Sequence, residues 1–240
     1  MRRSAEIFAL FVLSLLPACP EAREPAAGDL TEQRDAMVEQ QIEARGISDP
    51  ATLEAMRSVP RHEFLPLRLR EEAYGDYPLP IGHGQTISQP YIVAFMTEAI
   101  RPQPGEKILE VGAGSGYQAA VLAQMGAEVY TMEIVAPLAE MARQTLDRLG
   151  YRSAQVKHGD GYRGWPEHAP YDAVVVTCAP DKIPPDLVEQ LRDGGRMIIP
   201  VGGGMEQELI LLRKHAGKVE KQSVLPVRFV PMTGEAEKSR

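Results

Sequence analysis

The sequence predicts an α/β protein in which a mostly parallel, seven-stranded sheet carries helices on both faces, behind an N-terminal helical head. Three observations carry this expectation. From residue 106 onward, strand-like and helix-like segments alternate, the pattern of βαβ units. The run Ala173-Val174-Val175-Val176 is apolar without alternation, as expected of a strand covered on both sides. Gly126, Gly150 and Gly194 fall where helices must stop.

Taken in order, the head begins with a helix capped by Asp29, with Glu32 three residues on as its capping-box partner. Met37, Val38 and Ile42 form its apolar stripe and Gly46 ends it. Asp49-Pro50 starts a second short helix, a cap followed by a first-turn proline, with Leu53 and Met56 inward and Pro60 as its stop. Residues 67–73 suit a third short helix. Residues 74–88 hold three Gly and two Pro among them and read as a loop. Ser88 then caps a helix over 89–100, with Ile92, Val93, Phe95, Met96 and Ala99 inside.

In the body, strands are expected at 107–111, 128–133, 154–158, 171–177 and 196–200, with helices at 116–125, 135–149 and 185–192. Two further strands, 208–214 and 219–230, meet at Ala216-Gly217 and suit an antiparallel hairpin on the sheet edge. Met37, Met56, Met96 and Met141 fit helix core faces. The resulting division is a signal-like segment and linker at 1–28, a helical region at 29–104, the α/β core at 105–234 and a polar tail at 235–240.

Composition narrows the function. Hydrophobic residues make up 44% and charged residues 25%, which excludes a disordered chain, a collagen or a coiled-coil rod. The net charge of -7 argues against nucleic acid as the main partner, since phosphates call for a basic field. Cys19 and Cys178 are the two cysteines, and neither has a Cys or His at metal-ligand spacing, so no metal is expected. At the N-terminus, basic Arg2-Arg3, the apolar run IFALFVLSLL and Pro17-Ala18-Cys19 follow the order of an export signal. Leu16-Pro17-Ala18-Cys19 also resembles a bacterial lipobox, with Pro17 a departure, so membrane contact is expected only through a lipidated Cys19.

The strand KILEV runs directly into Gly112-Ala113-Gly114-Ser115-Gly116. A dinucleotide fingerprint needs glycine at position 117, where Tyr117 stands, and this disfavours a nicotinamide-dependent oxidoreductase. With Glu110 ahead of it, the segment resembles the E-x-G-x-G-x-G loop of S-adenosylmethionine-dependent methyltransferases. That resemblance implies a Rossmann-like class I fold. Glu133 closes the next strand, where its carboxylate can accept from both ribose hydroxyls of the cofactor, and Asp160, in Gly159-Asp160-Gly161, is placed toward the adenine edge.

Methyltransferases share the cofactor half, so the substrate has to be read elsewhere. The segment 79–90, LPIGHGQTISQP, resembles the G-x-x-x-I-S-x-P stretch of protein-L-isoaspartate O-methyltransferases. The blocks at 158–202 and 227–233 agree, so the resemblance spans about residues 30–234. It implies methyl transfer from S-adenosyl-L-methionine, leaving S-adenosyl-L-homocysteine, to the free carboxylate of L-isoaspartyl residues in damaged proteins and peptides. The ester then closes to a succinimide, which begins repair. By position, Ser88 matches the family's active-site serine. Gln85, Thr86, Ile87 and Ser88 match part of the cofactor wall; Glu110, Gly112, Gly114, Gly116, Glu133, Ile134, Asp160 and Gly161 match the cofactor side. Thr233 matches a C-terminal threonine that approaches the cofactor. Two departures are Cys178, where the family often has Ala, and the N-terminal extension.

The chemistry asks for little machinery. A carboxyl group with a reference pKa near ~4 is already ionised at neutral pH, so no general base is needed. Ser88 is expected to orient one carboxylate oxygen, with a helix cap as its simpler role. Trp165 and Tyr162 are candidates for a pocket wall or for packing, and Arg228 for substrate contact or a solvated edge. Two rivals remain: methylation of a small-molecule carboxylate, and an exported binding protein without turnover. The family expectation is cytoplasmic action; the signal-like residues 1–19 raise the alternative of a periplasmic or lipid-anchored protein.

Overall fold

The computed structural model describes residues 27–204 and 206–238. The export-signal and lipobox readings of residues 1–19 lie outside the described residues.

The head departs from its expected outline at several points. Helix α1, Ala27–Met37, starts ahead of Asp29, so Asp29 lies inside the helix rather than at its cap. It runs on through a π turn, Val38–Ile42, and a 3-10 turn, Glu43–Arg45, before Gly46 stops it at φ 97°. Met37, Val38 and Ile42 are fully buried, as their stripe requires. Helix α2, Pro50–Ser58, has the expected cap: Asp49 Oδ2 accepts from the Thr52 N–H at 2.8 Å. The third short helix is present as a 3-10 helix, Leu67–Glu72.

The stretch expected as a loop contains a hairpin, β1 Leu79–Gly82 and β2 Gln85–Ile87. The strand pattern is present but hidden by glycine and proline: Leu79, Ile81 and Ile87 turn inward, while His83 and Gly84 make the turn at φ 51° and 71°. Pro80 is tolerated because the ribbon has only two strands, both of them edges. Helix α3, Pro90–Ile100, begins one residue later than expected. Its N-cap is Gln89, without a side-chain cap bond, so Ser88 does not cap the helix.

The main sheet has seven strands: β3 Lys107–Val111, β4 Glu128–Glu133, β5 Ala154–His158, β6 Tyr171–Val176, β7 Leu191–Val201, β8 Gln207–His215 and β9 Lys218–Val227. Their spatial order is β5-β4-β3-β6-β7-β8-β9; the first five in that order run parallel, and β8 and β9 return antiparallel as the edge hairpin. Helices α4, Tyr117–Gln124, and α5, Ala136–Leu149, follow β3 and β4, and α5 ends at Gly150 in the left-handed region. Helix α6, Pro185–Glu189, is shorter than expected because β7 already starts at Leu191. Gly194 therefore stops no helix. It lies inside β7, where the register with β6 breaks between Tyr171 and Ala173. The tail, expected to be merely polar, forms α7, Glu235–Lys238, with Ala236 buried.

Side chains of the central strands split between two cores. Ile108, Val129, Ala173, Val175 and Ile198 pack with the head and α3–α5; Leu109, Val174, Val176, Met197 and Ile199 pack on the other face with Leu187 of α6. Because β4 and β5 lie to one side of β3 while β6 lies on the other, the chain reverses its winding there. A crevice opens beyond the carboxyl ends of β3 and β6, where such sheets bind ligands.

Candidate active site

At the end of β3 the glycine loop turns sharply, with φ of 98° at Gly112 and 53° at Gly114. A side chain at Gly112 would collide with the Thr177 hydroxyl, which donates to the Gly112 carbonyl at 2.6 Å and to that of Val111 at 3.1 Å. The loop is thus tied across to the end of β6. On its other side, Glu133 Oε2 accepts the Gly114 N–H at 2.8 Å and Oε1 accepts the Val135 N–H at 2.9 Å.

These elements wall a cavity at the carboxyl ends of the strands, where open α/β sheets bind ligands. Gln85, Thr86, Ile87 and Ser88 reach it from the hairpin, Glu110, Gly112 and Gly114 from β3 and its loop, Glu133 and Ile134 from β4, and Asp160 and Gly161 from the turn after β5. Thr233 arrives from the far C-terminus, because Ala179 exchanges backbone hydrogen bonds with Val230 and Met232, both 2.8 Å. Gly116 is the exception among the expected residues. It caps α4 at φ 90°, against Ala142 and Leu146, and does not line the cavity.

Three carboxylates, Glu110, Glu133 and Asp160, border the cavity, and no Lys or Arg is among its described lining residues. Asp160 accepts from the Tyr162 and Glu235 N–H groups at 2.9 and 2.8 Å. Glu110 is fully buried on the central strand, with the Thr131 hydroxyl facing its carboxyl. Burial pushes it up to about 8; the Thr131 hydroxyl opposes the shift and the Glu133 carboxylate adds to it. Ile134 is an apolar side chain left 37% exposed beside the acids.

Sequence reasoning missed other members of the wall. Thr177 and Cys178 end β6 and were identifiable from the rule that ligands sit at carboxyl ends of strands. The Val230–Met232 segment falls within the 227–233 block of the resemblance, but only Thr233 in it was expected at the site. Burial, and then the charges of Glu133, Asp160 and Glu110, push the Cys178 thiol up to about 12, so it is not a reactive thiolate. Trp165 and Tyr162 lie outside the wall; Trp165 packs edge-on against Tyr130 and His168. His62 bonds the Tyr74 hydroxyl at 2.6 Å and burial lowers its pKa, while His158 bonds the Ile134 carbonyl.

A second, more open groove runs past Pro78, Gln89, Ile92, Arg228 and Phe229. It shares Thr86, Ser88, Thr177 and Val230 with the first cavity. Ser88 therefore stands where the two spaces meet.

The sheet and the anionic cavity at its switch point define a class I S-adenosylmethionine-dependent methyltransferase. The model of the protein-L-isoaspartate(D-aspartate) O-methyltransferase family matches residues 32–237. A protein-L-isoaspartate O-methyltransferase of Gloeobacter violaceus is 58% identical over 200 residues, covering 83% of this chain and 98% of its own. One from Opitutus terrae is 52% identical over 227 residues, covering 94% and 97%. A crystal structure from Plasmodium falciparum, described as a putative enzyme of this name in complex with S-adenosyl-L-homocysteine, superposes with a TM-score of 0.73 at 26% identity, over 83% of this chain and 98% of that one. This chain belongs to the protein-L-isoaspartate(D-aspartate) O-methyltransferase family.

Proposed function

We propose that the chain transfers a methyl group from S-adenosyl-L-methionine to the free carboxylate of L-isoaspartyl residues in damaged proteins, with the cofactor in the cavity at the strand ends and the substrate in the adjoining groove. The observation that carries this reading is the position of Ser88 in the wall shared by both spaces.

The residues present fit the cofactor. A cationic sulfonium and an α-ammonium group suit a cavity bordered by the Glu133 and Asp160 carboxylates and the Glu110 carboxyl, with no basic side chain in its described lining. The buried Glu110 carboxyl, protonated at neutral pH, offers a ligand one O–H donor and one acceptor oxygen. Gly112 and Gly114 would let the ligand approach the backbone, Glu133 and Asp160 would take its hydroxyl and amine donors, and Ile134 and Thr233 would face its apolar parts. When bound, the cofactor supplies an activated methyl group. The protein's task is then alignment, which is worth up to roughly 7–11 kcal/mol in favourable cases.

Ser88 holds the substrate. Its hydroxyl donates to one carboxylate oxygen and leaves the other directed at the cofactor cavity. No proton has to be removed, so the wall needs no base, in keeping with a Cys178 thiol pushed up to about 12. Action in the cytoplasm, where the cofactor is made, is part of the proposal. Mass spectrometry of the native N-terminus tests it: a lipidated Cys19 or cleavage after Ala18 outside the cytoplasm would overturn it. The reaction itself is tested with an isoaspartyl peptide beside its aspartyl twin. Methylation of the first alone is expected, and equal labelling of both, or of neither, would refute it.

A further inference from the structure

Gln89 occupies the N-cap of α3, a position that favours Ser, Thr, Asp or Asn, yet it makes no cap bond. Its side chain is engaged elsewhere. Nε2 donates to the Asp76 carbonyl at 3.0 Å and to Asp76 Oδ2 at 2.8 Å. The same Oδ2 takes Arg45 Nη1 at 2.5 Å. The Arg45 guanidinium in turn lies 3.5 Å over the ring of Tyr91, two residues beyond Gln89. One carboxylate, thirteen residues before Gln89, is thus linked to both residues 89 and 91, immediately after Ser88.

We propose that Asp76 is a positioning residue for Ser88, acting through the side-chain amide of Gln89. This rests on the methyl-transfer reading above. Stability alone is a poor explanation for the arrangement. The Arg45 and Asp76 side chains are 43% and 26% exposed, and ion pairs this open contribute about 0–1 kcal/mol. Placement is a better one. Ser88 is the first residue after β2, and α3 begins at Pro90, so neither the hairpin ladder nor the helix ladder holds it. The Gln89–Asp76 link is the side-chain tie nearest to it. A displacement of ~1 Å in an aligning group can cost ~10²-fold in rate.

The test measures kcat on an isoaspartyl peptide and the S-adenosyl-L-homocysteine affinity by calorimetry, in the full chain. Asp76→Ala should lower kcat by about tenfold or more and leave the affinity within about twofold. Asp76→Asn should recover most of the loss, since its side-chain carbonyl still accepts the Gln89 amide. Added to Ser88→Ala, Asp76→Ala should have almost no further effect, because its target is already gone. Gln89→Met breaks the link but spares the Arg45 pair, and should reproduce the loss if Asp76→Ala does not fold. Wild-type kcat in both Asp76→Ala and Gln89→Met, an equal loss in the Ser88→Ala background, or a parallel loss of affinity would overturn the inference. A wild-type protein inactive on the peptide would instead overturn the methyl-transfer reading.

Discussion

The Glu133 carboxylate grips the glycine loop: its Oε2 accepts the Gly114 N–H at 2.8 Å while Oε1 accepts the Val135 N–H at 2.9 Å. The residue expected to hold the cofactor ribose therefore also shapes the loop that the cofactor would touch. Glu133→Ala should leave two amides without acceptors, at about 1–3 kcal/mol of stability. It should also weaken S-adenosyl-L-homocysteine binding by about tenfold or more, a loss of one strong hydrogen bond or its equivalent. Unchanged affinity by calorimetry would remove Glu133 from the cofactor site.

Ser88→Ala should lower kcat while sparing cofactor affinity. Because the helix begins at Pro90 and takes no cap bond from Ser88, stability should stay within about 0.5 kcal/mol of wild type. A larger drop in chemical denaturation would restore the capping role.

Glu110 should make stability depend on pH. Its carboxyl is pushed from 4.5 up to about 8 by burial. Below pH ~4.5 the group is protonated whether the chain is folded or not. Between about 4.5 and 8 the unfolded chain releases the proton and the folded one keeps it, so stability falls as pH rises through that window. Glu110→Gln removes this loss. Its advantage over wild type should be small at pH 4 and grow to on the order of a few kcal/mol by pH 8. A constant difference in urea titrations across that range would contradict a buried Glu110 carboxyl held protonated in the fold.

Gly112→Ala and Gly46→Ala form a matched pair. Both positions have φ near the same value, 98° and 97°, but a side chain at Gly46 meets nothing within 4 Å, whereas one at Gly112 strikes the Thr177 hydroxyl. Gly46→Ala should cost about 1–2 kcal/mol from backbone strain alone. Gly112→Ala should cost more and also impair cofactor binding. Equal thermal shifts would mean that Thr177 yields without penalty.

Much of this molecule is legible in one dimension. The strands 107–111, 128–133 and 154–158 fall at their expected bounds, because each stands between the helix stops and loops that punctuate the βα alternation. The Asp49 cap and the Gly150 stop depend on local backbone chemistry and were likewise visible. The acids at the ends of β3, β4 and β5 followed from where such strands terminate. The hairpin at 79–87 was not visible, since its glycine and proline content masks a short alternation that matters only once Ile81 and Ile87 meet the core. Nor could spacing show that Gly116 faces α5 rather than the ligand, a question of which side of one turn packs against Ala142 and Leu146. The residues brought from furthest away depended on folding: Val230 and Met232 reach the site through a backbone bridge to Ala179, and Asp76 reaches Gln89 through a side chain. Periodicity and capping act over a few residues and leave a mark in the chain. Contacts between distant segments are fixed by packing and hydrogen bonding in three dimensions, and no local pattern encodes them.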